Sequence, residues 1–196
     1  MIKRTIKYKD TRVMMSLYKT LVRPHDEYCV SAWNPHYIKD KKLIEKVQRR
    51  FTKMINNMEG KTYEERLQCL KLWTLKERRN MQDLTEVFKI CNGLSRIRLN
   101  KMFTLDDNIK GTRGHSWKLA KFRCTRDCCK YFFSNRAIIR WNQLDQRAVR
   151  AFSINAFKGV SLKSDGTTGH LAARGSASGY MARRKAMRQA TELTRV

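Results

Sequence analysis

The sequence predicts a mostly α-helical protein. A helical bundle is expected over residues 1–93. A mixed, loop-rich region with a short helical C-terminal part follows over 94–158, and a low-order basic tail over 159–196. Three observations carry this. Apolar residues recur at three- and four-residue spacing through most of residues 11–91. Two Thr-x-x-Glu pairs, Thr62 with Glu65 and Thr74 with Glu77, stand at the start of such runs. The texture then changes after Gly93, and again near residue 159, where Gly, Ser, Thr and Ala dominate.

Taken in order, residues 11–22 read as a helix with Val13, Leu17 and Leu21 in one stripe and Met14 and Tyr18 beside it. Pro24 is expected to stop it, or to sit in the first turn of a short second helix reaching Trp33. Asn34-Pro35 marks a turn. From Asp40 to Asn56 a strong helix is expected. Leu43, Ile44, Val47, Phe51, Met54 and Ile55 form its apolar face, and Lys42, Lys46, Arg49, Arg50 and Lys53 the rest. The Thr62 box opens a short helix through Leu70. The Thr74 box opens a longer one with Met81, Leu84, Val87, Phe88 and Cys91 inward, closed by Asn92-Gly93.

Residues 94–124 lack a long helical period, and WKLAKF at 117–122 carries an imperfect strand signal. Helix returns near Cys128, with Tyr131, Phe133, Ala137, Ile138, Trp141 and Leu144 as its apolar side. A short helix from Ser153 through Phe157 follows. The tail holds MARRKAMRQA at 181–190, a basic helix only if a partner supports it.

Charge narrows the function. The 196 residues carry 43 Lys and Arg against 17 Asp and Glu, a net charge of +26 spread along the whole chain. Such a surface attracts polyanions, most commonly nucleic acid; an anionic membrane or an acidic protein is the other outlet. No apolar run approaches the roughly 20 residues of a membrane span. The start, MIKRTIKYKD, is basic with no apolar stretch behind it, so an intracellular protein of the nucleus or cytoplasm is expected rather than a secreted one. The six cysteines are accordingly not expected to form disulfides.

Several clusters invite a catalytic reading. LYKTLVRPHDEYCVSAWNPH at 17–36 gathers two His, an Asp, a Glu and a Cys among aromatics. His25 and Cys29 are four apart, yet nothing supplies an oxyanion hole and the setting is apolar, which favours core packing over a nucleophile. Cys124, Cys128 and Cys129 with His115 offer four zinc-type ligands, but no second Cys pair follows; buried thiols are the plainer reading. Asp26-Glu27 and Asp106-Asp107 are adjacent acids without the further carboxylates a two-metal site requires. No phosphate loop, HExxH or dinucleotide fingerprint occurs. No catalytic residue, metal or cofactor is expected.

Basic residues with aromatics remain. Arg113, His115 and Lys118 flank Trp117 in one segment, where cations meet phosphates and an aromatic stacks on a base, or where Trp117 and Phe122 simply anchor the chain. Arg49, Arg50 and Lys53 lie on the outer side of the 40–56 helix. These six are the expected nucleic-acid contacts.

At this point MSLYKTLVRPHDEYCVSAWNPH, KLIEKVQRRFTKMI, TYEERLQCLKLWTLKERRNMQDLTEVFKICNG, TRGHSWKL and KYFFSNRAIIRWNQL, in that order, resemble the region downstream of the reverse transcriptase palm in non-LTR retrotransposon polyproteins. The resemblance covers roughly residues 1–158. It implies a helical thumb followed by a connector, contact with RNA or an RNA–DNA hybrid, and a palm as the original packing partner. The family's catalytic Tyr/Phe-Ala-Asp-Asp motif is not in this sequence, and Asp106-Asp107 in LDDN is not its match. The resemblance therefore implies a polymerase-deficient fragment of an RNA-directed DNA polymerase. Without a palm it would be a structural remnant prone to self-association; inside a longer chain it would be part of an active enzyme. Leu17, Tyr18, Leu21, Val22, Pro24, His25, Glu27, Tyr28, Trp33 and Pro35 match the family pattern and imply scaffold, with His25 fixing a turn. Asp26 stands where the family usually has leucine, and if buried it would be costly to ionise. Residues 159–196 fall outside the resemblance.

Overall fold

The computed structural model describes residues 5–106 and 115–164. Asp107, Arg113 and the expected basic tail helix lie outside them. Among the described residues the chain is mostly helical and loop-rich, with short helices toward its C-terminal part. The described residues divide into two compact units, 5–83 with 131–133, and 84–106 and 115–130 with 134–164.

In the first unit, α1 spans Thr11–Leu17 and opens at Asp10, whose side chain accepts from the Arg12 amide at 3.0 Å. Pro24 does not stop the helical path. The backbone widens into a π-helical turn over Tyr18–Val22, with Arg23 N donating to Tyr18 O, and continues as α2, Arg23–Asp26. A π turn displaces the carbonyls that a proline ring would otherwise strike, so the ring is accommodated. α2 ends where Glu27 N donates to Arg23 O at 3.0 Å, well short of Trp33. No hydrogen bond from the exposed His25 closes that turn among the described residues.

α3 runs Ile38–Lys53, α4 Tyr63–Leu70 and α5 Leu75–Cys91. Both expected Thr–Glu boxes form. The Glu65 amide donates to Thr62 Oγ1 at 3.3 Å while Thr62 N donates to Glu65 Oε2 at 2.8 Å. Glu77 N and Thr74 N repeat the exchange at 3.2 Å each. α4 closes at Lys71 in the left-handed region (φ 51°). Around these helices Met14, Tyr18, Phe51, Ile55, Met58, Tyr63, Leu67, Leu70 and Leu72 form one buried cluster.

That core departs from the expected stripes. Val13 and Leu21 are exposed, as are Leu43 and Val47. Gln48 and Thr52 are fully buried in their place. Gln48 accepts from the Tyr18 hydroxyl at 2.6 Å and donates to Trp73 O at 2.8 Å; Thr52 donates to Gln48 O at 2.9 Å. A polar face goes inward here because each polar atom has a partner.

In the second unit, α5 buries Leu84, Val87, Phe88 and Cys91, the expected inward side chains there, and closes at Gly93 with φ 67°, a conformation glycine adopts without strain. α6 is Leu99–Met102, α7 Asp127–Lys130, α8 Phe133–Asn142, α9 Gln146–Val149 and α10 Ile154–Ser164. α10 runs a further turn or more past Phe157. Trp141 is fully buried, and Phe157 stacks on Phe88 with ring centroids 4.5 Å apart. Among the described residues the strand signal at 117–122 yields one antiparallel bridge, Leu105 to Leu119. The bridge is bonded through Lys118 O and Ala120 N, which leaves the backbone groups of Leu119 facing the other edge, where the Asn142 side chain accepts from its N and donates to its O at 2.9 Å each.

Candidate nucleic-acid interface

The residues singled out for nucleic acid fall into both units. Arg49, Arg50 and Lys53 belong to the first, on α3, and all three are exposed. With Ile44, Gln48, Phe51 and Thr52 turned toward the core, the helical period places Lys39, Lys42, Lys46, Arg50 and Lys53 on the opposite side, within an arc of about 80°. All five are exposed. They span about 21 Å of helix axis at 1.5 Å per residue. Lys39 was not among the residues the sequence pointed to, because it precedes the expected helix start at Asp40. The three- and four-residue spacing of the cations was the signal that could have found it.

Arg49 sits at the edge of this stripe and is partly committed. Its guanidinium lies 4.5 Å from the Tyr63 ring centroid, a cation–π contact that leaves the residue exposed. Glu45, the acid on the same helix nearest to it, is turned away: it accepts from the Tyr63 hydroxyl and from Leu75 N at 3.0 Å, capping α5. Asp40 is thus the exposed acid on α3. The field along the stripe is positive, and a polyanion lying on it would release its own condensed counterions as five lysines and arginines neutralise its charges.

The second unit treats its candidates differently. His115 is 3% exposed. Its Nε2 lies 2.8 Å from Trp141 O, and its Nδ1 accepts from Trp117 N at 3.1 Å. An Nδ1 that accepts and an Nε2 that donates describe the neutral ring. Burial holds its pKa below the ordinary value, against the opposing pull of the Trp141 carbonyl. Both ring nitrogens are spent inside, so His115 is a structural residue with no edge left for a phosphate. Trp117 is half-buried and its carbonyl accepts from Trp141 Nε1 at 2.8 Å, so it anchors the segment. Phe122, for which anchoring is one of two readings of the sequence, is 62% exposed. Lys118 is half-buried, and its backbone O accepts from Asp106 N at 2.9 Å. Arg113 lies outside the described residues.

The cluster at 17–36 is scaffold in its geometry. Glu27 is ion-paired to Arg78, with Arg78 Nη2 donating to Oε2 at 2.9 Å, and it accepts from Gln82 at 3.0 Å. Arg79, 3% exposed, donates to Trp33 O at 3.1 Å and to Asp26 O at 2.6 Å, and stacks 4.7 Å from the Trp33 ring centroid. Asn34 donates to Asp83 at 3.2 Å. One face of α5 thus pins the 26–34 loop. Asp26 is half-buried, and its Oδ2 meets no donor among the described residues. Desolvation raises its carboxyl above the ordinary value, more than the Arg79 charge lowers it.

The thiols also depart from expectation. Cys91 is buried, and burial pushes its thiol up to about 12. Cys128 and Cys129 are exposed and Cys124 half-buried, so they are not core thiols. Among the described residues no group of three or more His, Cys, Asp or Glu side chains is arranged to hold a metal ion. No described helix is long and apolar enough to cross a membrane. Comparisons with family models, with curated proteins and with solved structures found no match to this chain.

Proposed function

We propose that this chain is the thumb and connector portion of a non-LTR retrotransposon reverse transcriptase, and that it binds RNA or an RNA–DNA hybrid through the phosphate backbone. The observation that carries this reading is the outward cationic stripe of α3, Lys39, Lys42, Lys46, Arg50 and Lys53, laid on a helix whose opposite face is locked into a core. A rigid helix with regularly spaced cations suits phosphates, which position a polyanion without reading its sequence. In this reading the chain acts within the nucleus or cytoplasm and supplies no catalytic metal ligands, so it positions a duplex and does not extend a primer. Arg49 borders the stripe. Lys118 is a second, separate contact; His115 supports its segment from within.

The test is binding of the purified chain to single-stranded RNA, duplex DNA and an RNA–DNA hybrid across a salt series. Submicromolar binding with preference for the hybrid supports a retained thumb function. Weak and equal binding that vanishes near physiological salt refutes it.

A second reading has its own observation. Val13, Leu21, Trp33, Leu43 and Val47 in the first unit are large apolar side chains left 42–65% exposed. In that reading the chain is a structural remnant of a larger assembly and self-associates through this surface. Sedimentation across a hundredfold range of concentration separates the two: a monomer throughout removes the remnant reading.

A further inference from the structure

Residues 124–129 in the second unit gather three thiols. Cys128 Sγ and Cys129 Sγ lie 3.8 Å apart, and both residues are exposed. Cys124 is held by Asn135 of α8, whose Nδ2 donates to Cys124 Sγ at 3.1 Å and to the Cys129 carbonyl oxygen at 2.8 Å. One amide group therefore joins the two ends of the segment and keeps the Cys124 sulfur beside the turn that carries the other two. The hydrogen bond with Cys128 is the first cause that raises the Cys129 thiol above its ordinary value. Lys121, Arg123, Arg126 and Lys130 flank the three cysteines in sequence, against the single acid Asp127. The thiolate is the reactive form of cysteine, and exposure leaves both sulfurs of the pair open to an oxidant.

The two adjacent sulfurs are the nearest pair but poor partners for a bond. Consecutive Cα atoms are about 3.8 Å apart, below the roughly 4.4 Å at which unstrained disulfides begin. Cys124 is the third thiol within the cluster and carries no such restriction. We propose that Cys124, Cys128 and Cys129 form a peroxide-responsive thiol site whose oxidised form is a disulfide joining Cys124 to one sulfur of the Cys128–Cys129 pair.

The chemistry balances with hydrogen peroxide as oxidant. A thiolate of the exposed pair attacks one peroxide oxygen and breaks the O–O bond; the departing hydroxide takes a proton and leaves as water, and the sulfur becomes a sulfenic acid. The Cys124 sulfur then attacks that sulfur, the S–O bond breaks, and the hydroxide leaves as a second water with the Cys124 proton. Two thiols are oxidised by two electrons and one peroxide is reduced to two waters. Transient disulfides of this kind are compatible with an otherwise reducing compartment. The bond would tie the basic 121–126 segment to α7. This inference does not depend on nucleic-acid binding.

Trypsin reads the result directly, because Arg123, Arg126 and Lys130 isolate Cys124–Arg126 from Asp127–Lys130. The full chain is treated with stoichiometric hydrogen peroxide, alkylated, digested and analysed by mass spectrometry. The expected product is the Cys124–Arg126 peptide linked to Asp127–Lys130, with one alkylated sulfur and release by dithiothreitol. The exposed Cys29 serves as an internal reference and is expected to remain alkylatable. Asn135→Ala is expected to slow formation of the linked peptide at least threefold, and Cys124→Ser to abolish it. A bond confined to Asp127–Lys130, a link to Cys29 or Cys69, an intermolecular dimer, or an unchanged rate in Asn135→Ala would each overturn the proposal.

Discussion

The Tyr18 hydroxyl donates to Gln48 Oε1 at 2.6 Å, thirty residues away and inside the core of the first unit. The same glutamine donates to the Trp73 carbonyl at 2.8 Å. One amide thus joins the π turn, α3 and the segment leading into α5. Gln48→Leu keeps similar volume but removes the acceptor of the Tyr18 O–H and the donor to the Trp73 carbonyl, while the Arg23 side chain still reaches the Tyr18 oxygen. Each buried polar group left alone costs about 1–3 kcal/mol. Urea denaturation is expected to show a loss of at least about 2 kcal/mol, with the slope unchanged. A stability equal to that of the parent would mean the bonds are not formed in solution.

Asp26 gives a prediction with a defined sign. Its raised pKa means that the folded state holds a proton more tightly than the unfolded chain does. The stability linked to that proton is complete below the ordinary aspartate value and is lost as pH rises through the folded value. Asp26→Asn removes this penalty. The variant is expected to melt above the parent at pH 7, and the gap is expected to close as pH falls toward 4. A gap that is absent at neutral pH, or that widens in acid, would show the carboxylate to be favourably placed.

His115 titrates in the opposite sense. Its folded pKa lies below the ordinary value, so the unfolded chain binds the proton better. Its contribution to stability is present above about 6.5 and declines as pH falls below that toward the folded value. Nitrogen NMR of the ring at pH 7 is expected to show Nδ1 unprotonated and Nε2 protonated. Nucleic acid is expected to leave both resonances in place. A ring that charges above pH 6.5, or that responds to added RNA, would return His115 to the binding surface.

The local signals were legible in the sequence, and the distant ones were not. Thr62–Glu65, Thr74–Glu77 and Gly93 fix helix ends through partners three to five residues away, and all three lie where the pattern put them. The inner face of α3 was misjudged at Leu43 and Val47 because Gln48 and Thr52 read as polar. Contacts with Tyr18, from another helix, and with the distant Trp73 carbonyl make burying Gln48 favourable. His115 read as a surface cation for the same reason: its partners Trp117 and Trp141 were visible, but not their convergence on one ring. Asn142 likewise caps the outer edge of Leu119 from 23 residues away. Of the candidate site, the charge of α3 was readable, and the face it occupies became clear once the core side was known.

The central claim is that this face of α3 is a phosphate-binding surface, and one measurement addresses it most directly. Lys46→Gln, Arg50→Gln and Lys53→Gln are combined in one variant, which leaves the buried face of the helix untouched. Its affinity for an RNA–DNA hybrid is followed against salt concentration alongside the parent. If each cation neutralises one phosphate, the slope of log affinity against log salt becomes shallower by about 2–3, and binding at low salt falls by at least tenfold. An unchanged slope and affinity, with the circular dichroism of the parent retained, would contradict the claim.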